Sequence, residues 1–344
     1  MKHTHDPSEG TEMDHLIAHL AHVEILTPRL QESVAFFHDL VGMEVVLEHG
    51  DSVFLRTWGN YLPYDLILTQ NPTTGLGHIG WRAKNAEALD LAARRLGADN
   101  GGLGWQESAP WQGKAYLFVG PNGQKQKIFW EAEHYQAPEH LASPLPTRPQ
   151  RTPARGVAAR HLDHVNFPSA DVLGDAQWYE RNLGVFLTEW TEVPEKGLAI
   201  FATLSTGSAF QLAFLRDDSG HRGRFHHFAL QVDERADVIR AAEIFREAGT
   251  PIEWGPGRHG HGESFSVYVR EPGGMRLEIV SPGLQRIAPD HKPVKWAPTQ
   301  GSADFYLSNP LPEAFLEVLP AIPTTDQQAS AIDVAGLGNP WDNT

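Results

Sequence analysis

The stretch AHVEILTPRLQESVAFFHDLVGMEVVLE (Ala21–Glu48) has a counterpart later in the chain, DHVNFPSADVLGDAQWYERNLGVFLTEW (Asp163–Trp190). Each reads as a short strand that carries a His near its start, then a turn, then an amphipathic helix with paired aromatics. Each ends at a Gly followed by another strand. A second pair repeats the theme. GHIGWRAKNAEALDLAARRLGA (Gly77–Ala98) and HHFALQVDERADVIRAAEIFREAGT (His226–Thr250) both read as a strand opening on His and a helix that stops near Gly. Each half then closes with a hairpin, AYLFVGPNGQKQKIFWE (Ala115–Glu131) and FSVYVREPGGMRLEIVS (Phe265–Ser281), reversed at Pro-Asn-Gly and Pro-Gly-Gly. A repeat of this kind sets the architecture before any single element is placed.

The chain therefore reads as α+β, built of repeated βαβββ modules, two modules in each of two tandem domains. One helix per group of strands predicts curved sheets rather than a doubly wound parallel sheet. Residues 1–14 are polar and read as a flexible N-terminus, and residues 15–135 form the first domain. Residues 136–158 are rich in Pro and read as an extended linker. Residues 159–283 form the second domain. Residues 284–344 carry many Pro and no clean periodicity, and are expected to wrap over the domains near an active-site mouth.

Composition narrows the function. The 344 residues are 41% hydrophobic and 21% charged, a globular balance that suits two domains. The net charge of −15 argues against a nucleic-acid partner, which would need clustered Lys and Arg. No apolar run approaches the roughly 18–20 residues of a membrane span, and Met1–Asp14 has no apolar secretory core. A cytoplasmic protein without a membrane partner is expected. There are no cysteines, so disulfides, thiolate nucleophiles and Cys-held metals are excluded together. A metal would need nitrogen and oxygen ligands, which 18 histidines can supply.

Three polar residues of the second half sit among apolar strand residues: His164 in LDHVNF, His227 in FHHFAL and Glu278 in RLEIV. Alternate residues of a strand share a face, so His164 and Asn166 point the same way. A buried Glu costs several kcal/mol unless it is paired or binds a cation. Two imidazoles and a carboxylate from three strands can make the facial triad of a non-heme iron site. The plainer alternatives stay open on these residues alone. A single His at a strand start serves as a hydrogen-bonded structural residue, and an inward Glu pairs with Arg or Lys.

In this order, DHVNF, GRFHHFAL, GPGRHG, the Tyr of SVYV and EPGGMRLEIV resemble the extradiol ring-cleaving dioxygenases of the vicinal oxygen chelate superfamily, of the catechol 2,3-dioxygenase type. The resemblance covers roughly residues 15–283 and is strongest in the second half. It implies a catalytic second domain with metal ligands His164, His227 and Glu278. Within the His226-His227 doublet, His227 is the ligand because it aligns with His78 of the first half. It further implies that His259 and Tyr268 hydrogen-bond substrate or bound oxygen, and that Asn166 lies beside the dioxygen site. Fe(II), with Mn(II) as the alternative, is the implied cofactor, O2 the co-substrate, and a small aromatic diol the substrate. The implied product is a muconic semialdehyde type, within aromatic hydrocarbon catabolism. A homo-oligomer, often a tetramer, is also implied. In the first half, His22 and His78 occupy the ligand places, but the third falls on Lys127. A Lys repels a cation, so the first domain is expected to be metal-free.

One position departs from the family. Its acid–base His falls in SAFQLAF, at Phe210, and a shifted register that put Gln211 there would not restore a titrating group. His221, His259 or His261 could share the lost role. An acidic, electron-poor catechol would need less proton handling. Phe210, Trp190 and Trp254 are candidates to line the ring pocket, each read first as simple core rather than as a specificity element. Two rivals remain at this stage. One is a non-oxygenase metalloenzyme of the same superfamily, an isomerase or a lyase, which oxygen consumption would separate. The other is a non-catalytic aromatic-binding protein, which metal analysis would separate.

Overall fold

The structure is a computed structural model and describes residues 15–207, 209–288, 290–306 and 311–320. The flexible N-terminus expected at 1–14 and the end of the tail lie outside the described residues. The first half runs β1 (Ile17–Thr27), α1 (Leu30–Ala35), β2 (Glu44–His49), β3 (Ser52–Arg56), β4 (Leu66–Gln70), β5 (Gly75–Ala83), α2 (Ala86–Ala98), β6 (Gly102–Gln106), β7 (Ala115–Val119) and β8 (Lys125–Phe129). The second half repeats the order as β9 (His161–Ser169), α3 (Val172–Leu183), β10 (Phe186–Val193), β11 (Leu198–Ser205), β12 (Phe210–Arg216), β13 (His227–Gln231), α4 (Arg235–Glu247), β14 (Ile252–Arg258), β15 (Phe265–Arg270) and β16 (Arg276–Val280). These are the βαβββ modules that the repeat predicts, two to a sheet.

The sheet orders show the duplication. One sheet runs β2-β3-β4-β1-β5-β8-β7-β6. The other runs β14-β15-β16-β13-β9-β12-β11-β10 and is extended by β17 (Val294–Trp296) from the tail. In each, the first strands of two modules pair antiparallel at the centre, β1 with β5 and β9 with β13. The fold is thus mixed α+β, with modules joined through their opening strands. Those opening strands carry the histidines, so the topology brings residues distant in sequence to the middle of one sheet.

Local chemistry sets the element ends. Asn85 accepts a hydrogen bond from Ala88 N at the start of α2, and Asp171 does the same for Gly174 N at α3. Gly184 closes α3 with φ 66°, a left-handed conformation that costs Gly little. α1 runs on as a π-helical turn, Phe36–Val41, which the sequence does not announce. That turn places Phe36 flat against Phe245 of α4, ring centroids 5.7 Å apart at 4°. One hydrophobic core therefore passes through both halves, from Val23 and Phe37 to Phe228 and Ile279. No helix among the described residues is long and apolar enough to cross a membrane.

Candidate metal centre and its cavity

At the centre of the second sheet, Ala229 of β13 faces His164 of β9 on one side and Glu278 of β16 on the other. His164, His227 and Glu278 are 4%, 4% and 1% exposed, and one potential ligand atom from each lies within 4.8 Å of the others. His164 Nε2 is 3.0 Å and His227 Nε2 3.2 Å from Glu278 Oε2, and the two Nε2 atoms are 3.3 Å apart. Both Glu278 oxygens are buried, and what faces Oε2 is the pair of imidazole nitrogens. A buried carboxylate is costly unless a cationic partner balances it. The donor set is two nitrogens and one oxygen, converging on one point. It fits a divalent cation of the iron or manganese kind.

Electrostatics agree. Burial pushes the Glu278 carboxyl up, but the imidazoles of His164 and His227 outweigh it and hold the group well below the usual carboxylate range. Burial lowers His227 to about 4, so that ring is neutral. Burial also acts to lower His164, yet Glu278 and Asp163 raise it to about 9. Without a cation, then, the pocket gathers a proton at His164 to balance Glu278.

Sequence reasoning missed Asp163. Neighbours in a regular strand point to opposite faces. Here the pairing of β9 with β13 skips from Leu162 to His164, a bulge with Asp163 as the extra residue. Asp163 Oδ1 thereby reaches His164 Nδ1 at 2.7 Å. It accepts the Nδ1 proton, so that once the proton facing Glu278 gives way to a cation the Nε2 lone pair is directed at the centre. His226, the other member of the doublet, is buried beside His227. Its Nδ1 lies 2.6 Å from His227 Nδ1.

A cavity of about 480 Å³ opens beside the three residues. Asn166, Phe210, His259, His261 and Tyr268 line it. Asn166 Oδ1 is buried without a hydrogen-bond partner. Tyr268 and His259 act as a pair, with Tyr268 OH 3.0 Å from His259 Nε2. His259 Nδ1 donates to the Ala303 carbonyl, so its Nε2 accepts the Tyr268 proton. Burial, with Glu278 nearby, drives the Tyr268 pKa far up and keeps its proton in place. Burial lowers His259, which stays neutral.

Phe210 lines the cavity, its ring centroid 4.7 Å from that of His164. Gln211 does not line the cavity, since its Oε1 accepts from Leu20 N and Thr206 Oγ1. His221 is also outside the lining. His261 is inside it, bonded to Thr191 Oγ1 at 2.8 Å and lowered by burial to about 3. Two expectations for the ring pocket need correction. Trp190 and Trp254 do not line the cavity. Thr191 takes the inward face of β10, which turns Trp190 to the other side. Trp254 stacks under His259, ring centroids 4.6 Å apart at 6°, and holds that ring rather than a ligand. The lining also includes Ser302, Ala303, Leu311, Phe315 and Leu316 from the tail, a segment without periodicity to mark it.

The first half holds the matching pocket in altered form. His22 Nε2 lies 3.0 Å from His78 Nε2, and His78 Nδ1 lies 2.6 Å from Glu24 Oε2. Ala21 takes the bulge place of Asp163, Glu24 that of Asn166, and Lys127 that of Glu278. Lys127 is buried, and burial lowers it to about 8 although Glu24 pulls the other way.

Comparison with known proteins gives a consistent picture. The Glyoxalase/Bleomycin resistance protein/Dioxygenase superfamily matches residues 19–125 and 161–279. A metapyrocatechase of Geobacillus stearothermophilus is 33% identical over 303 residues, 87% of this chain and 92% of that protein. A manganese-dependent 2,3-dihydroxybiphenyl 1,2-dioxygenase of Geobacillus genomosp. 3 is 37% identical over 284 residues, 81% of this chain and 90% of that one. Among solved structures, an extradiol ring-cleaving dioxygenase from B. fuscum superposes with a TM-score of 0.76 at 24% identity. It covers 87% of this chain and 81% of its own.

Proposed function

Since the chain belongs to the glyoxalase/bleomycin resistance protein/dioxygenase superfamily, we propose that it is an extradiol dioxygenase. It cleaves a catechol-type ring beside the hydroxyls with O2 and gives a muconic semialdehyde type of product. The observation that carries this reading is the triangle of His164, His227 and Glu278 at the head of a cavity large enough for an aromatic diol. The first half, 15–135, is a metal-free partner to the catalytic half, 159–283.

His164, His227 and Glu278 would hold Fe(II) or Mn(II). When bound, the metal supplies Lewis acidity toward both diol oxygens and open positions where diol and dioxygen meet. The protein does the rest by placement. The carboxylate leaves the site with one negative charge, and the neutral His227 adds none. Asn166 offers its unpaired amide oxygen at the cavity wall. Tyr268 and His259 handle the proton. A diol hydroxyl can donate to the Tyr268 oxygen while Tyr268 passes its own proton to His259 Nε2. Phe210 cannot take part, so this pair is the proton route that the cavity wall provides.

Much of the remainder of the cavity is apolar, with Lys196, Arg216 and Asp218 as charged residues of the same lining. Val193, Leu198, Ile200, Phe201, Leu215 and Leu311 line the apolar part. The favoured substrate is a catechol with an apolar substituent such as a second ring. Burying that group there gains roughly 25 cal/mol per Å² removed from water. The relative from Geobacillus genomosp. 3, which acts on a dihydroxybiphenyl, supports the same preference. The setting expected for this enzyme is a cytoplasmic homo-oligomer, which gel filtration checks.

The test is oxygen uptake. Anaerobically purified protein is loaded with Fe(II) or Mn(II) and given catechol, 3-phenylcatechol and a carboxylated catechol. A yellow ring-fission product should form fastest from 3-phenylcatechol. No uptake with any catechol would end the proposal.

A further inference from the structure

The tail does more than wall the cavity. Phe225 and Leu319 exchange backbone hydrogen bonds, Phe225 N to Leu319 O at 2.7 Å and Leu319 N to Phe225 O at 2.8 Å. Arg224 donates to the carbonyls of Val318 and Pro320. Arg276, itself held by both Glu253 oxygens, donates to the carbonyls of Ala314 and Glu317. Its guanidinium lies 4.8 Å over the Phe315 ring. Residues 314–320 are thus tied down beside the strand that opens with His227.

The result is a fixed carbonyl. Phe315 O lies 2.7 Å from His226 Nε2, and His226 Nδ1 lies 2.6 Å from His227 Nδ1. A carbonyl can only accept, so His226 carries its proton on Nε2. His226 is 2% exposed, and its backbone carbonyl accepts a hydrogen bond from Arg276 Nη1. A neutral imidazole holds one ring proton, so a proton on Nε2 leaves none on Nδ1. His226 Nδ1 then has only a lone pair, and the proton between the two rings belongs to His227. With its proton on Nδ1, His227 presents a bare Nε2 to Glu278 and His164. The reverse tautomer would put a proton where a cation must bind.

We infer that Phe315, through its carbonyl and by way of His226, sets the tautomer of His227, which makes the tail a positioning element of the cation site. This rests on the reading of His164, His227 and Glu278 as that site. Asp163 does the same for His164 from within the sheet, whereas His227 is served by a segment outside the βαβββ repeat.

The test uses full-length apo-protein and Mn(II), with free Mn(II) read by electron paramagnetic resonance. An Asn side chain can place an acceptor oxygen near the Nδ1 position. A Gln side chain can reach Phe315 O but leaves nothing at Nδ1. H226N should bind Mn(II) within about 3-fold of the parent, and H226Q should bind about 10–100-fold more weakly. F315A, which frees the segment, should weaken binding similarly in the parent. It should add nothing in H226N, since coupled sites are not additive. Equal effects of H226N and H226Q would overturn the inference. So would an F315A effect that persists in H226N, or its absence in the parent. If the parent itself binds no Mn(II), or H164A binds it equally well, the cation-site reading fails instead.

Discussion

Lys127 on β8 stands opposite Gly80, and Gly80 opposite His22, in the same register in which Glu278 on β16 stands opposite Ala229, and Ala229 opposite His164. The two halves share one plan. In one, an ammonium occupies the place that a carboxylate holds in the other. Glu24 answers that change: Thr69 and His78 bond to it, and Lys127 helps to keep it ionised.

Lys127 should give a measurable pH dependence of stability. Its pKa falls from the ordinary value to about 8 in the fold, because burial disfavours the charged form. Below pH 8 both folded and unfolded chains carry the proton, and the fold bears the full penalty. As pH rises from about 8 to 10.5, the folded chain releases the proton first, and stability is regained. The span corresponds to about 3 kcal/mol. In urea unfolding, K127M should be more stable than the parent at pH 7. The difference should shrink by most of that amount by pH 10.5. A constant difference across this range would refute it.

Glu278→Gln keeps the volume and removes the charge. Loss of an outer partner costs roughly 10–100-fold in metal affinity, so loss of this ligand should exceed about 100-fold. Metal content per chain after gel filtration should fall to background, and oxygen uptake with it, while the circular dichroism spectrum stays unchanged. Retained metal would mean that Glu278 is not a ligand.

Much of this was legible in the sequence. The repeat gave βαβββ modules because strands with an opening His and helices ending at Gly recur in order. Alternation along strands then turned His164 inward beside Asn166. What stayed hidden breaks a local rule. Asp163 reaches His164 only because a bulge suspends alternation. Trp190 looked like pocket lining, but Thr191 holds the inward face. Phe315 comes from a segment with no period, placed by Arg224 and Arg276, and no local pattern encodes such a contact.

Asp163→Asn isolates the bulge. Asn keeps the shape and an acceptor oxygen but loses the charge that makes His164 a stronger ligand. Mn(II) affinity, from competition with a chelator, should fall about 10–100-fold. At saturating metal, kcat should stay within about 10-fold, because Asp163 touches neither substrate nor oxygen. A large kcat loss at full metal occupancy would give Asp163 a different role.

Phe210→His tests the proton route. Phe210 packs on His164 and offers no proton acceptor, which leaves Tyr268 and His259 to serve the diol. An added acid–base group is worth roughly 10²–10⁴-fold where one is needed, and the lower end suits a site not shaped around it. Oxygen uptake with 3-phenylcatechol should therefore rise by about 10–100-fold at saturating metal. A nitrocatechol loses its proton unaided, so its rate should change by less than about 3-fold. A gain confined to the less acidic diol would show that proton handling limits the parent enzyme. Equal loss with both substrates would show instead that Phe210 serves as packing that holds His164 in place.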